Sequence, residues 1–374
     1  EGVRVLEFSH MVMGPTVGMI LADLGAEVIK VEPLGGDKTR YLPGSGAGYF
    51  AMYNRNKRSI TVDLKSAEGI EIVRGLLASS DVMIENFRDG ALDKLGLGYD
   101  SVHQINPGII YQSCKGFLSG PYENRTALDE VAQMMGGLAY MTGPSGRPLR
   151  AGASVIDVSG ALFGVIGILS ALLSRKDTGK GASVRASLYE TTAFLVGQHI
   201  AQGAVTGTPA PPMPERISAW AVYDVFDTYD GQIFVGVVSD GQWKSLCAEF
   251  GLTDWGTDEE MANNSGRVAQ RDTIIPRLKS VFEKISTENL TARVGKIGLP
   301  YAPIRKPDDL LDDPHLSARG LHEMELPGGQ RVRLPALPLE INGARPELRR
   351  SPQKIGADTN EVLSWLGIDA AKQT

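Results

Sequence analysis

The chain has only two cysteines in 374 residues, Cys114 and Cys247. Two cannot build a disulfide framework, and they fit a reducing compartment. It has no basic surplus either: 38 Lys and Arg against 44 Asp and Glu leave a net charge of −6. That balance argues against a nucleic-acid backbone as the main partner. No apolar run has membrane length. The nearest, Val158–Leu173, carries no charge over sixteen residues but falls short of the roughly twenty that span a bilayer, so it is expected to be a buried core helix. The N-terminus shows no basic stretch followed by an apolar run and a small-residue cleavage site, and the expected location is the cytoplasm. Histidines 10, 103, 199, 315 and 322 are dispersed, with none at metal-ligand spacing, and neither a G-x-S-x-G elbow nor a Walker A sequence occurs. No metal is expected.

What is present is an ordinary globular composition, 42% hydrophobic and 22% charged, and an alternation of strand and helix patterns through the first third. Val3–Phe8, Ala26–Val31, Ser59–Leu64, Val82–Ile84 and Ile109–Ser113 read as strands. Thr16–Leu24, Ala67–Leu77 and the stretch around Ala91–Leu97 read as helices. Strands separated by single helices need parallel crossovers, so the fold class is α/β, a parallel sheet with helices on both faces. Residues 207–218 open with four prolines in ten residues and read as a linker. The expected plan is a large domain from 1–206, a small α+β domain from 219–302, a second proline-rich linker at 303–320, and a return to the large domain in 321–374. No internal repeat is present.

The first strand–loop–helix–strand unit ends in Glu32, where a dinucleotide fold places its ribose-binding acid. Its turn, Ser9–Pro15, holds one glycine rather than three, and the glycine run 44–48 follows no strand. The pyrophosphate cradle is missing, and a nicotinamide cofactor is not expected. Asp157 stands just before the long apolar segment. It reads as a helix N-cap, and equally as a carboxylate kept ionised by the helix dipole and so able to attack. Gly160, Gly164, Gly167 and Ala171 form one stripe of small residues, read first as tight helix packing. Asp129 and Gln133, four apart, read as a solvent-facing pair. The cations Arg40, Arg55, Lys57, Arg58, Lys65, Arg88, Lys94 and Arg125 crowd the turns of the predicted sheet and suggest an anionic ligand.

The segments AEVIKVEP (26–33), NRNKRSI (54–60), ENFRDGAL (85–92) and DEVAQMMGG (129–137) resemble the family III CoA-transferases, the group that includes formyl-CoA transferase and carnitine CoA-transferase. So do Asp157 with the helix behind it, GLPYAPI (298–304), DPHLSARG (313–320) and the closing 358–367. These matches run in the family's order along nearly the whole chain. The resemblance implies a Rossmann-like large domain built from both chain ends, a small inserted domain, and an interlocked homodimer.

It also implies a mechanism on Asp157. The carboxylate attacks an acyl-CoA thioester, the freed thiolate attacks the aspartyl carbonyl, and the resulting aspartyl-CoA thioester passes CoA to an acceptor acid. CoA itself is the substrate, bound by similarity through His10, Met11, Val12, Arg40, Val62, Lys65, Asn86, Phe87 and Lys94. Asp129 falls where the family carries an acid near the catalytic carboxylate. Backbone N–H groups near Gly136 and Gly137, or at the helix start, are the oxyanion candidates. Arg125, Arg55 and Arg216 are the candidates for pairing an acceptor's second carboxylate, which favours a dicarboxylate acceptor with succinyl-CoA as a possible donor.

Departures from the family pattern bear on the branch. Leu128 and Ser239 replace the histidine and glutamate of the family's racemases, which makes a racemase the runner-up. The glycine run that caps the formyl-CoA transferase site is absent, as is the lysine that would stand at Thr126, so oxalate and formate are less favoured. Asp358 replaces a histidine common near the C-terminus. A non-catalytic CoA-binding subunit is the remaining alternative.

Overall fold

The computed structural model describes residues 2–216 and 218–368, so the last six positions of the expected 321–374 segment lie outside the described residues. The chain divides into two compact units, Glu1–Glu215 with Pro314–Thr374, and Arg216–Asp313.

The larger unit begins with strand β1 (Arg4–Phe8), helix α1 (Met13–Asp23) and β2 (Glu27–Glu32). It continues with α2 (Tyr49–Tyr53), β3 (Lys57–Thr61), α3 (Ala67–Ala78), β4 (Val82–Glu85), α4 (Tyr99–Ile105) and β5 (Ile110–Lys115). The expected helix around Ala91–Leu97 is only a short 3-10 turn, Asp93–Leu95, closed by Gly96 at φ 69°. Next come α5 (Asp129–Met135), α6 (Leu138–Thr142), α7 (Val155–Thr178), β6 (Ala182–Ser187), α8 (Leu188–Leu195) and α9 (Gly197–Thr206). Six parallel strands lie in the order β3-β2-β1-β4-β5-β6. The order reverses between β1 and β4, and that reversal opens a crevice at the strands' C-terminal ends. One core packs α1 and α7 onto the sheet through Val17, Ile84, Ile110, Ile156 and Val165. A second, on the other face, packs α3 through Leu6, Ile60, Val73 and Leu77.

Helix α7 departs from the expected buried core helix. Its small-residue stripe is tight packing: a Cβ on Gly160 would come within 2.8 Å of Met13, one on Gly164 within 3.0 Å of Gln112, and one on Gly167 within 2.5 Å of Val184. The opposite face carries Leu162, Phe163, Ile166, Leu169 and Leu173, all exposed, with Leu173 at 65%. A helix that is apolar all round can bury only the side that meets its own sheet.

The smaller unit contains β7 (Tyr223–Asp227), β8 (Gln232–Gly236), α10 (Asp240–Glu249), α11 (Thr253–Gly256), α12 (Asn264–Ala269), α13 (Arg271–Phe282), α14 (Thr287–Lys296) and β9 (Tyr301–Pro303). The antiparallel sheet β7-β8-β9 packs on these helices around Phe226, Trp243, Leu278 and Phe282. The return segment holds α15 (Pro314–Arg319), the hairpin β10 (Leu321–Glu325) with β11 (Arg331–Pro335), and α16 (Thr359–Ser364). Asp358 fastens α16 to the sheet: its carboxylate accepts the Ser59 N–H (2.9 Å) and pairs with Arg58 (3.2 Å) and Arg350 (3.1 Å).

Candidate active site

The crevice at the β1/β4 reversal gathers several of the residues expected to bind CoA. Asn86, just past β4, clasps the backbone of His10, just past β1: its Oδ1 accepts the His10 N–H (3.1 Å) and its Nδ2 donates to the His10 carbonyl (2.7 Å). The His10 and Phe87 rings lie 5.6 Å apart. Met11 sits at φ 65°, an uncommon conformation for a side chain with a Cβ, and its N–H donates to Thr39 Oγ1 (2.9 Å). Lys65 and Lys94 are exposed.

Three groups of the expected contacts have their side chains engaged within the protein. The Arg40 guanidinium is bidentate on Glu32 (2.8 and 2.6 Å), donates to the Gln353 carbonyl (3.0 Å) and lies over the Phe50 ring. It is already committed rather than awaiting a phosphate, and Glu32 is its anchor, not a ribose contact. Val12 and Val62 are 1% and 4% exposed, so their side chains belong to the core. The crowd of cations is mostly internal pairing: Arg55 with the buried Asp23 (2.7 Å), Lys57 with Glu7 (2.8 Å), Arg58 with Asp358 and Glu361. Arg55 is 1% exposed and unavailable to a substrate.

Asp157 lies inside the first turn of α7, whose N-cap is Ser154, so it is not the cap itself. Ser154 makes no side-chain capping bond. The cap comes from another helix: Asp129 Oδ2 accepts the N–H groups of Ile156 (2.9 Å) and Asp157 (3.1 Å). Asp129 and Gln133 are 7% and 0% exposed and bonded to each other, not solvent-facing. The expected ionised state of Asp157 changes accordingly. Burial pushes its carboxyl up, the Asp129 charge adds to the rise, and Arg150 opposes it, leaving it at about 7. The helix amides that favour an anion are occupied by a competing carboxylate.

For the same reason the helix-start amides are not free oxyanion donors. The Gly136 N–H is also spent, on the Ala132 carbonyl (2.8 Å). Gly137, at φ 87°, begins α6, and its N–H makes no hydrogen bond among the described residues. Of Gly136, Gly137 and the bonded amides of Ile156 and Asp157, it alone has a free N–H among the described residues. It borders a cleft of about 460 Å³ walled by Met135, Tyr140, Val196 and His199.

Sequence reasoning missed Arg150. Its guanidinium pairs with Glu130 (2.6 Å) and lies 3.6 Å from Asp129, and it is the cation whose charge reaches Asp157. Nothing in its spacing marks it, because a loop carries it back to α5. Arg125 is different: it lies over the rings of Tyr122 (5.0 Å) and Phe117 (5.9 Å) and pairs with no carboxylate among the described residues. Arg216 stands at the start of the smaller unit. In the described residues no group of three or more His, Cys, Asp or Glu has metal-binding geometry. Cys114 is buried and pushed up to about 12, mainly by burial, and is no nucleophile at neutral pH.

The structure thus combines a six-stranded Rossmann-type parallel sheet with a buried carboxylate pair, Asp129 and Asp157, at the start of α7. Comparison with known proteins narrows the class. The family described as CoA-transferase family III matches residues 1–359, and this chain belongs to it. The succinate–glutarate CoA-transferase of Agrobacterium fabrum is 32% identical, the alignment covering 98% of this chain and 95% of that protein. The acetyl-CoA:oxalate CoA-transferase of Acetobacter aceti is 34% identical over 92% of this chain and 89% of its own. A crystal structure of a CaiB/BaiF family protein from Brucella suis superposes with a TM-score of 0.88 at 35% identity, covering 98% of both chains. The protein is a family III CoA-transferase.

Proposed function

We propose that the protein moves CoA from an acyl-CoA donor to a dicarboxylate through an aspartyl-CoA thioester on Asp157. The observation that carries this reading is the placement of Asp157: half-buried beside a second carboxylate that has taken its helix amides, surroundings in which burial first and the Asp129 charge second push its carboxyl up to about 7. Such a group is a better nucleophile than an ordinary carboxylate and is still ionised in good part at neutral pH. Asp157 attacks the thioester carbonyl and the C–S bond pair leaves on sulfur. The thiolate then attacks the Asp157 carbonyl, and the donor acid departs as a carboxylate. An acceptor acid runs the same steps in reverse. The Gly137 N–H is the free donor for the developing oxyanions.

The dicarboxylate rests on Arg125, a guanidinium held by two aromatic rings and without an acidic partner among the described residues, and on the relatives whose names carry succinate, glutarate or oxalate. A homodimer is part of the reading, because the exposed row Leu162, Phe163, Ile166, Leu169 and Leu173 on α7, with Phe194, is a large apolar face to leave in water. The racemase alternative loses support where Leu128 is exposed and Ser239 caps α10 through Gln242.

The test is transfer of CoA from succinyl-CoA to glutarate, oxalate and butyrate. Asp157→Ala is expected to lose activity by about a thousandfold or more. Arg125→Met is expected to raise KM for the diacids by about tenfold, the worth of one charge-assisted pair, and to leave butyrate unchanged. Equal use of butyrate and the diacids by the wild-type protein rejects the dicarboxylate.

A further inference from the structure

Gln133 is fully buried on α5, one turn beyond Asp129, and the transfer steps above make no use of it. Its Nε2 donates to Asp129 Oδ1 (2.5 Å), and its Oε1 accepts the Ala151 N–H (2.8 Å). The backbone donor fixes which end of the amide faces Asp129, so the Asp129 oxygen opposite must accept. Asp129 Oδ2 then holds the N–H groups of Ile156 and Asp157. One continuous chain of hydrogen bonds ties the loop before α7, helix α5 and the first turn of α7.

The net exchange at Asp157 converts an acyl-CoA and the Asp157 carboxylate into an aspartyl-CoA thioester and a free carboxylate. One C–S bond breaks and one forms, an aspartyl oxygen leaves in the released acid, and one negative charge stands on each side. Whatever makes the Asp157 anion costly relative to its uncharged acid makes it equally costly relative to the uncharged thioester at the same carbon. Denying the anion its helix amides therefore pulls the exchange toward enzyme-bound CoA.

We propose that Gln133 is a positioning residue: by fixing Asp129 across the first amides of α7, it disfavours Asp157 as a free carboxylate and drives CoA onto the enzyme. The inference rests on the reading that Asp157 carries CoA. The raised titration of Asp157, from burial first and Asp129 second, agrees with it. The other groups facing Asp157 are Arg150 from the preceding loop, Tyr53 from α2 and Cys114 from β5. Tyr53 and Cys114 are both held up mainly by burial, with Asp157 contributing. Glu130 is engaged by Arg150.

The experiment is intact-mass measurement of the fraction of protein carrying CoA on Asp157, at a fixed ratio of succinyl-CoA to free succinate, with the pH dependence of kcat/KM. Gln133→Met and Asp129→Asn are compared with Arg150→Gln. The first two are expected to lower the loading ratio by about tenfold, matching a one-unit fall in the acid limb. Arg150→Gln is expected to move both quantities the opposite way, which a loss of folding does not produce. A loading ratio and acid limb equal to wild type in Gln133→Met overturn the proposal, whether or not Asp129→Asn shifts, while leaving the Asp157 mechanism intact. Absence of any adduct on wild-type Asp157 overturns that mechanism and this inference with it.

Discussion

Two groups of buried charge lie in the larger unit, one under the loop between β1 and α1 and one at the start of α7. Under the loop, Glu7 faces Lys57 (2.8 Å) and Lys30 (3.4 Å), and Lys30 also meets Asp37 (3.0 Å). Two acids meet two bases. Although burial works against its charge, Glu7, Asp37 and Glu32 hold the Lys30 ammonium above the usual lysine range. Lys57 is pushed down to about 8 by burial, with Glu7 opposing and Lys30 adding to the fall. Spare donors tie down the loop itself: Lys30 to the Ser9 carbonyl (2.6 Å), Lys57 to the Pro15 carbonyl (2.8 Å). At α7, three acids, Asp157, Asp129 and Glu130, share one base, Arg150. A balanced cluster fixes backbone, whereas an unbalanced one leaves a carboxylate poised to react.

The contrast breaks most visibly at Glu7. Glu7→Gln leaves two buried ammonium groups without their shared partner. It is expected to cost about 3–5 kcal/mol in urea unfolding, and a change near zero would show the cluster to be solvated. Next is Asp157→Asn, which is expected to stabilise the fold. The folded value of about 7 lies above the ordinary 3.8, so the folded state binds the extra proton between them and stability falls as pH rises through that window. Removing the group restores about 4 kcal/mol at pH above about 7 and nothing below about pH 4. Thermal unfolding at the two pH values reads the difference, and an equal effect at both would show that burial and Asp129 do not hold the Asp157 carboxyl up. Smallest is the exposed Arg277–Asp254 pair in the other unit. Asp254 is held below its usual range by Arg277, yet solvent screening leaves Asp254→Asn without a measurable shift in Tm.

Much of this was legible in the sequence, for identifiable reasons. Five strands of the large sheet read correctly within a residue or three because apolar runs separated by single helices admit one parallel solution; the sixth, β6, was missed because its sequence ASVRAS carries no apolar run. The family was readable from motifs spread along the chain. What failed depends on partners distant in sequence. Arg55 reads as free until Asp23 is found 32 residues away, and Arg40 until Glu32 closes on it. Asp129 and Gln133 read as a surface pair because the residue they serve lies 28 positions on from Asp129. Asp157 read as ionised because a first-turn carboxylate ordinarily takes the helix amides, and no local pattern reveals that another acid has them. The outward face of α7 was missed for a simpler reason: apolar character says that a face avoids water, not which neighbour covers it.

The central claim is that Asp157 carries CoA covalently, and it is tested most directly by intact-mass spectrometry after incubation with succinyl-CoA, with peptide mapping and hydroxylamine trapping. The account predicts a CoA-sized adduct on Asp157, converted by hydroxylamine to a hydroxamate at the same residue and absent from Asp157→Ala. Turnover of CoA to an acceptor acid with Asp157 never modified, or an adduct that persists in Asp157→Ala, would contradict it.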